Sequence, residues 1–433
     1  MMLGSPAVHA APEPPVTEET LDNGLRVLVL EDHRNPIATI QTWYKVGSRN
    51  EIPGATGLAH FLEHMMFKGT PTYGKGQFAQ LVEENGGQDN AFTSHDVTSY
   101  YVNIAADRVD LLLGIEADRM RNLLLDTKEI DSERQVVAEE RRTRTEDDPD
   151  GYLSEEFLAT AYKAHPYGWP VIGWMSDIQR INPGELRAFY DRYYLPNNAL
   201  LVVAGDVDTR RVLARTRETF GRISRGPAPP PMGSVEPPQL GERRVQVYKP
   251  DARVPIVYIG YHVPNYASKD APALELLSTI LQEGRASRLY RRLVYERRLA
   301  LTVGGDYAYL SHDPNLFWFS GTPLPGQTPE TLEQAIMEEI ERAKSEPIPD
   351  EELERAKNQI EAAFVWRQDS IYSRAASLAR FELTGSWRNS ETFVPLIRQV
   401  TAADLQRVAR TYFQGHGRTV GTLLPGAPPA AGK

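Results

Sequence analysis

Asn35-Pro36-Ile37-Ala38-Thr39-Ile40, followed by Trp43-Tyr44, returns later in the chain as Val254-Pro255-Ile256-Val257-Tyr258-Ile259, followed by Tyr261-His262. Pro255 minus Pro36 is 219. Ile181-Asn182-Pro183 leads into Glu185-Leu186 and then Tyr193-Tyr194, and Val400-Thr401-Ala402 leads into Asp404-Leu405 and then Tyr412-Phe413. Leu405 minus Leu186 and Tyr412 minus Tyr193 are again 219. One offset that holds at both ends of such a span marks a tandem duplication. A chain of 433 residues also exceeds what one hydrophobic core supports.

Between the repeats lies Arg225-Gly226-Pro227-Ala228-Pro229-Pro230-Pro231, then Pro237-Pro238, which can form neither helix nor interior strand and reads as an extended linker. The expected division is a tail at 1–15, a first domain at 16–222, a linker at 223–242, a second domain at 243–425 and a tail at 426–433. Both halves mix period-2 and period-3.6 patterns. Expected strands include Leu25–Glu31, Ile37–Tyr44, Thr98–Ala105 and Leu200–Ala204, then Val245–Lys249, Ile256–Tyr261 and Leu316–Gly321. Expected helices are Gly57–Phe67, Lys75–Glu84, Val109–Asn122, Ser132–Thr145 and Pro183–Tyr193. Strands and helices in mixed order predict an α+β fold, two homologous duplicated domains, each a mixed or antiparallel sheet with helices packed on one face. No Gly-rich strand-to-helix phosphate loop favours a doubly wound parallel sheet.

Composition narrows the functional classes. Lys and Arg number 48 against 58 Asp and Glu, and a net charge of −10 argues against nucleic acid as a partner. No stretch approaches the ~20 apolar residues of a membrane span. Cysteine is absent, so thiol catalysis is excluded and any zinc site must be built from His and carboxylates. Small residues around Ala7-Val8-His9-Ala10 read either as the remnant of a secretory signal or as a frayed tail, and they make an exported, periplasmic location the expectation.

Of nine histidines, only His60 and His64 form a close pair, in Gly57-Leu58-Ala59-His60-Phe61-Leu62-Glu63-His64-Met65-Met66-Phe67, with Thr56 expected as N-cap and Gly69 as the stop. Residues four apart share a helix face, the spacing at which two imidazoles grip one metal. Glu63 points to nearly the same side and can reach a metal-bound water without being a ligand. Zinc lowers the pKa of such a water from ~16 to ~7, and a neighbouring carboxylate takes the proton as water attacks a carbonyl. This order reverses the commoner H-E-x-x-H zinc peptidase helix. A further protein ligand is required. Ser132-Glu133-Arg134-Gln135 has the form of a capping box, and Glu133, Val136, Val137 and Glu140 then share one face. Without the histidine pair, that face would read as solvated acidic surface.

Together, His60-Phe61-Leu62-Glu63-His64 and the later Glu133-Arg134 followed by Glu140 resemble the pitrilysin-like (inverzincin) zinc metallopeptidase family, processing-peptidase-like branch, and its zinc-bearing subunit. The resemblance spans nearly the whole chain. It implies Glu140 as the third zinc ligand, Glu133 as a support behind the ligands, and Glu63 as the activator of water. Gly86-Gly87-Gln88-Asp89-Asn90-Ala91-Phe92-Thr93 resembles the family's turn and edge strand beside the zinc, which implies that Asn90 and Ala91 bind an extended peptide added to the sheet. A plain hairpin turn capped by Gly86-Gly87 is the bland alternative.

The second half departs from the pattern. Adding 219 to His60, Glu63 and His64 lands on Thr279, Gln282 and Glu283, which cannot repeat the metal site. Complete family members supply an Arg and a Tyr seven residues apart to orient substrate and stabilise the oxyanion, and the corresponding positions here are Val294 and Leu301. The expectation is a zinc endopeptidase subunit that forms a heterodimer with a homologous, Arg/Tyr-bearing subunit and acts on peptide substrates in a closed chamber. The alternatives are a non-catalytic structural subunit of the same fold, which has no need of Glu63, and a peptide-binding shell, which has no need of the metal residues.

Overall fold

The computed structural model describes residues 15–427. The expected tails at 1–15 and 426–433, and with them the signal-like Ala7–Ala10, lie almost wholly outside the described residues.

Six strands, β1 (Val16–Thr20), β2 (Arg26–Glu31), β3 (Ile37–Tyr44), β4 (Gln88–Thr93), β5 (Thr98–Ala105) and β6 (Ala199–Gly205), form one sheet in the order β1-β2-β6-β3-β5-β4. Five more, β7 (Arg243–Lys249), β8 (Ile256–Val263), β9 (Ala300–Tyr307), β10 (Asn315–Pro323) and β11 (Arg418–Pro425), form a second in the order β7-β11-β8-β10-β9. In each sheet one pair is parallel, β2 with β6 and β7 with β11, and the other pairs are antiparallel. The two orders superimpose strand for strand, apart from the extra β1. Shifted by 219, Ile37–Tyr44 falls on Ile256–Val263, and the helix Pro183–Tyr193 falls on the helix Ala402–Tyr412. The duplication read from sequence is a duplication of structure.

Helices were expected on one face of each sheet, and most are there. Val27, Val29, Ala38, Ile40, Leu201 and Val203 point into the main core of the first half, under the helices Leu58–Met65, Val109–Arg121 and Pro183–Tyr193. The opposite faces are apolar too. Strand β6, Ala-Leu-Leu-Val-Val-Ala-Gly, is buried at every position, the continuous apolar run of a strand covered on both sides. What covers the second face comes from the other half. The helix Ile371–Thr384 lays Ala375, Ala379 and Leu383 on Leu28, Leu30, Trp43, Leu200 and Val202 of the first sheet. Reciprocally, the helix Pro149–Ala161 lays Leu153, Phe157 and Ala161 on Val247, Tyr258, Leu316 and Leu423 of the second. Shifted by 219, Pro149–Ala161 overlaps Ile371–Thr384, so the repeats have exchanged equivalent helices. A Cβ at Gly260 on β8 would come within 2.7 Å of the Phe157 ring, so the bare glycine makes room for the foreign aromatic.

Polar contacts between the turns after β4 and β9 reinforce the exchange. Asp96 accepts from Tyr167 Oη at 2.7 Å and from the His312 backbone N–H at 3.0 Å, and Arg49 pairs with both Asp96 and Asp313. A cavity of about 1030 Å³ between the halves is bordered by Trp43, Phe92, Tyr307, Arg367 and Phe393. No described helix is long and apolar enough to cross a membrane.

An exchanged helix makes each half a stability determinant of the other. Phe157→Ala removes an aromatic from the second sheet while lying in the first half, and it should cost ~3–5 kcal/mol. Calorimetry should show one transition shifted to lower temperature as a whole, whereas independent halves would give two transitions with only one displaced.

Candidate metal centre

His60 and His64 sit on the helix Leu58–Met65, and the start of that helix is not the cap expected from sequence. Gly57, at φ +86°, is the N-cap residue, and no side chain at that position caps the helix. The free N–H groups of Gly57 and Ala59 instead donate to the carboxylate of Glu51 at 2.8 and 2.7 Å. Burial lifts Glu51 to about 8 in spite of those bonds. Thr56 faces away, its hydroxyl donating to Asp177 Oδ2 at 2.7 Å and accepting from the Trp174 N–H at 3.0 Å. Backbone touches backbone here: a Cβ on Gly57 would lie 2.6 Å from the Ile172 carbonyl oxygen, and one on Gly173 would lie 2.6 Å from Gly57 Cα. Gly57 therefore serves two purposes, a left-handed turn and a close approach.

Glu133 and Glu140 sit on a helix that runs Thr127–Arg141, capped by Asp126, whose side chain accepts from Lys128 and Glu129 N–H groups. Ser132 to Gln135 is thus interior helix, not a start; a tertiary-stabilised helix overrode the local capping pattern. Arg141, at its end, donates to both oxygens of Glu155 at 2.9 and 2.8 Å and to the Gly173 carbonyl at 2.8 Å. Through Gly173, one buried guanidinium fixes the end of this helix against the start of the histidine helix. It also ties both to the exchanged helix Pro149–Ala161.

The result is convergence. His60 Nε2 lies 3.8 Å from Glu140 Oε1, and His64 Nε2 lies 3.3 Å from Glu140 Oε2. One donor atom from each of the three residues falls within a common span of 4.8 Å, and no other such group occurs among the described residues. Donors ~2.0–2.2 Å from a tetrahedral zinc are about 3.5 Å from one another, so the cluster is close to that requirement. Two imidazoles and a carboxylate are a donor set that zinc accepts. His60 Nδ1 is buried without a hydrogen-bond partner.

Behind His64 the protein supplies an orienting chain. His64 Nδ1 is 2.8 Å from Glu133 Oε1, and Lys68 pairs with the other oxygen of Glu133. Outer partners of this kind set the orientation of a metal-binding imidazole. Burial opposes a charge on His64, but the hydrogen bonds it donates to the Glu133 and Glu140 carboxylates raise its pKa to about 9. Burial and the neighbouring His64 drop His60 to about 4. Glu140 is held low by His64 and also meets Arg144 at 2.6 Å, from the π-helical turn Arg142–Glu146.

Glu63 stands beside the cluster as expected. Burial pushes its pKa up, against the hydrogen bond it accepts at Oε2 from Thr93 Oγ1 at 2.6 Å. Thr93 ends β4, which lies at the edge of the sheet. The Gly86-Gly87 pair is the helix-to-strand turn before β4, while the hairpin turn follows it at 94–97. On β4, Asn90 Oδ1 accepts from the Ala91 N–H at 2.8 Å. In the second half, the stretch bearing Val294 is a π-helical segment, Tyr290–Glu296, and half-exposed Leu301 lies on β9. Sequence reasoning did not single out Glu51, Lys68, Thr93, Arg141 or Asp177. Only Lys68, four residues after His64, carried a local signal.

Comparison with known proteins places the chain in a family. Residues 26–173 match the family model described as insulinase, peptidase family M16, and residues 180–360 match that described as the peptidase M16 inactive domain. The zinc protease PqqE of Helicobacter pylori is 35% identical over 423 residues, covering 97% of this chain and 95% of its own. The crystal structure of a protease from Helicobacter pylori superimposes with a TM-score of 0.93 at 35% identity, over 95% of this chain and all of that one. The periplasmic protease PqqL of Escherichia coli shares the fold at 21% identity, with a TM-score of 0.78 over 96% of this chain and 48% of that one.

Two measurements test the centre. Since His64 titrates near 9 and metal ligation requires a neutral imidazole, zinc binding at pH 7 should release about one proton per chain, read by calorimetry in buffers of different ionisation heat. Lys68→Met should weaken zinc binding about 10–100-fold in a chelator competition, through the loosened Glu133–His64 contact.

Proposed function

The chain belongs to the insulinase family of peptidases, family M16, and we propose that it is a zinc-dependent endopeptidase subunit that hydrolyses peptides or unfolded segments in a closed chamber. The observation that carries this reading is the convergence of His60, His64 and Glu140 with a half-buried carboxylate, Glu63, beside them. A structural shell has no use for that fourth group. The names of relatives as zinc proteases support the choice of metal.

His60, His64 and Glu140 would hold the zinc, with Glu133 and Lys68 orienting His64. Zinc supplies Lewis acidity there, acidifying water and polarising the peptide carbonyl. Glu63 accepts a proton from the attacking water as its oxygen bonds to the carbonyl carbon. The same carboxyl then gives that proton to the amide nitrogen as the C–N bond breaks, so one water is consumed and an acid and an amine leave. A carboxylate lifted by burial is suited to both transfers at neutral pH.

An extended peptide adds to the outer edge of β4 in this reading, and Asn90 and Ala91 bind its main chain. Asn90 would release the Ala91 N–H, the outward donor that it holds with its own side chain.

Val294 and Leu301 are apolar where an oxyanion-stabilising Arg and Tyr are needed, which supports a heterodimer in which a homologous partner subunit supplies that pair. An exported, periplasmic setting is proposed on the signal-like residues Ala7–Ala10. The second reading, a non-catalytic subunit, rests on the same missing pair.

The chain should carry about one zinc, cleave a quenched peptide only after mixing with the Arg/Tyr-bearing partner, and lose ~10²–10⁴-fold of that activity in Glu63→Gln with zinc retained. Absence of bound metal would favour the structural subunit, and full activity of the chain alone would remove the split site.

A further inference from the structure

We infer that Thr93 is a positioning residue that selects which oxygen of Glu63 does the chemistry and couples that choice to substrate docking. The inference rests on the reading of Glu63 as the base.

Thr93 has one hydroxyl proton and two acceptors near it. Glu63 Oε2 is 2.6 Å away and Thr98 Oγ1 is 3.3 Å away. Thr98 is fully buried, and its own hydroxyl donates to the Val46 carbonyl at 3.0 Å. The closer, charged carboxylate takes the Thr93 proton, since hydrogen bonds to ionised acceptors are the stronger ones. Oε2 is thereby engaged from the strand side. Oε1 is left as the oxygen that can face an attacking water, and the torsions of a long side chain are fixed by a neighbour that cannot move far. Thr93 cannot move far because it pairs with Thr98 across the β4–β5 ladder.

Chain position ties Thr93 to the docking edge as well. Thr93 closes the same strand that carries Asn90 and Ala91, and it lies two residues beyond Ala91. Before a peptide binds, β4 is laddered on one side only. A peptide added to its open side gives it a neighbour on both, which adds to the restraint that Thr98 already places on the residue that holds Glu63. Docking at the edge and orientation of the base are thereby coupled. Productive alignment then depends on main-chain pairing and not only on side-chain fit.

The test uses the active, zinc-loaded assembly. Thr93→Val keeps the shape of the side chain and removes the donor; kcat should fall about 10–100-fold while KM and zinc content stay at the wild-type values. Thr93→Ser, which keeps the donor, should recover most of that loss. A crystal structure of Thr93→Val should show the Glu63 carboxyl rotated or spread over several positions. An unchanged kcat in Thr93→Val overturns the inference, as does a loss confined to KM. Should Thr93→Val lower the melting temperature or the zinc content, Thr93→Ser decides: a Ser variant as slow as Val overturns it. Glu63→Gln separates the two claims. Full activity in Glu63→Gln would end the base reading itself, whereas an inactive Glu63→Gln beside a normal Thr93→Val would remove only the role of Thr93.

Discussion

A sheet with two apolar faces must have both of them covered, and that requirement organises this molecule. The repeats meet it by exchange, Pro149–Ala161 covering the second sheet and Ile371–Thr384 the first. The two cores so joined include some of the largest aromatic side chains, Trp43 and Phe157 among them. Burial of such groups is the dominant favourable term in folding, so the interface between halves is made of the same material as the cores within them.

The metal centre inherits its precision from that exchange. The two helices that bear its residues are far apart in sequence, and each ligand side chain alone has several rotamers. What brings the helices into register is the Arg141–Glu155–Gly173 arrangement. Glu155 belongs to the exchanged helix, so the covering of a distant sheet and the placing of Glu140 are mechanically one structure. Backbone contact between Gly57 and Gly173 completes the arrangement without a side chain.

Charge is placed with similar economy. A buried histidine and a half-buried one so close together do not both take a proton readily: burial and the neighbouring His64 keep His60 neutral, while Glu133 and Glu140 hold a proton on His64. Lys68 and Arg144 balance the carboxylates. Glu63 has only a threonine for company on its strand side, an environment that leaves a carboxylate reactive where an ion pair would quench it.

By itself the sequence determined the duplication, the α+β class, and the local pattern His60-Glu63-His64. These rest on periodicity and on residues a few positions apart, and local geometry obeys the helix repeat whatever surrounds it. Strands Ile37–Tyr44 and Thr98–Ala105 and the helix Pro183–Tyr193 were legible end to end for the same reason. Glu133 and Glu140 were legible only through resemblance to a family, because their own helix starts at Thr127 under a cap that the Ser132–Gln135 pattern hid. The tertiary structure alone decided that Thr56 gives up the cap to Glu51, that Lys68 reaches Glu133, that Thr93 reaches Glu63, and that each sheet borrows a helix. All four are contacts between residues distant in the chain or dependent on a neighbouring element. They follow from which apolar faces meet, and no local spacing encodes that.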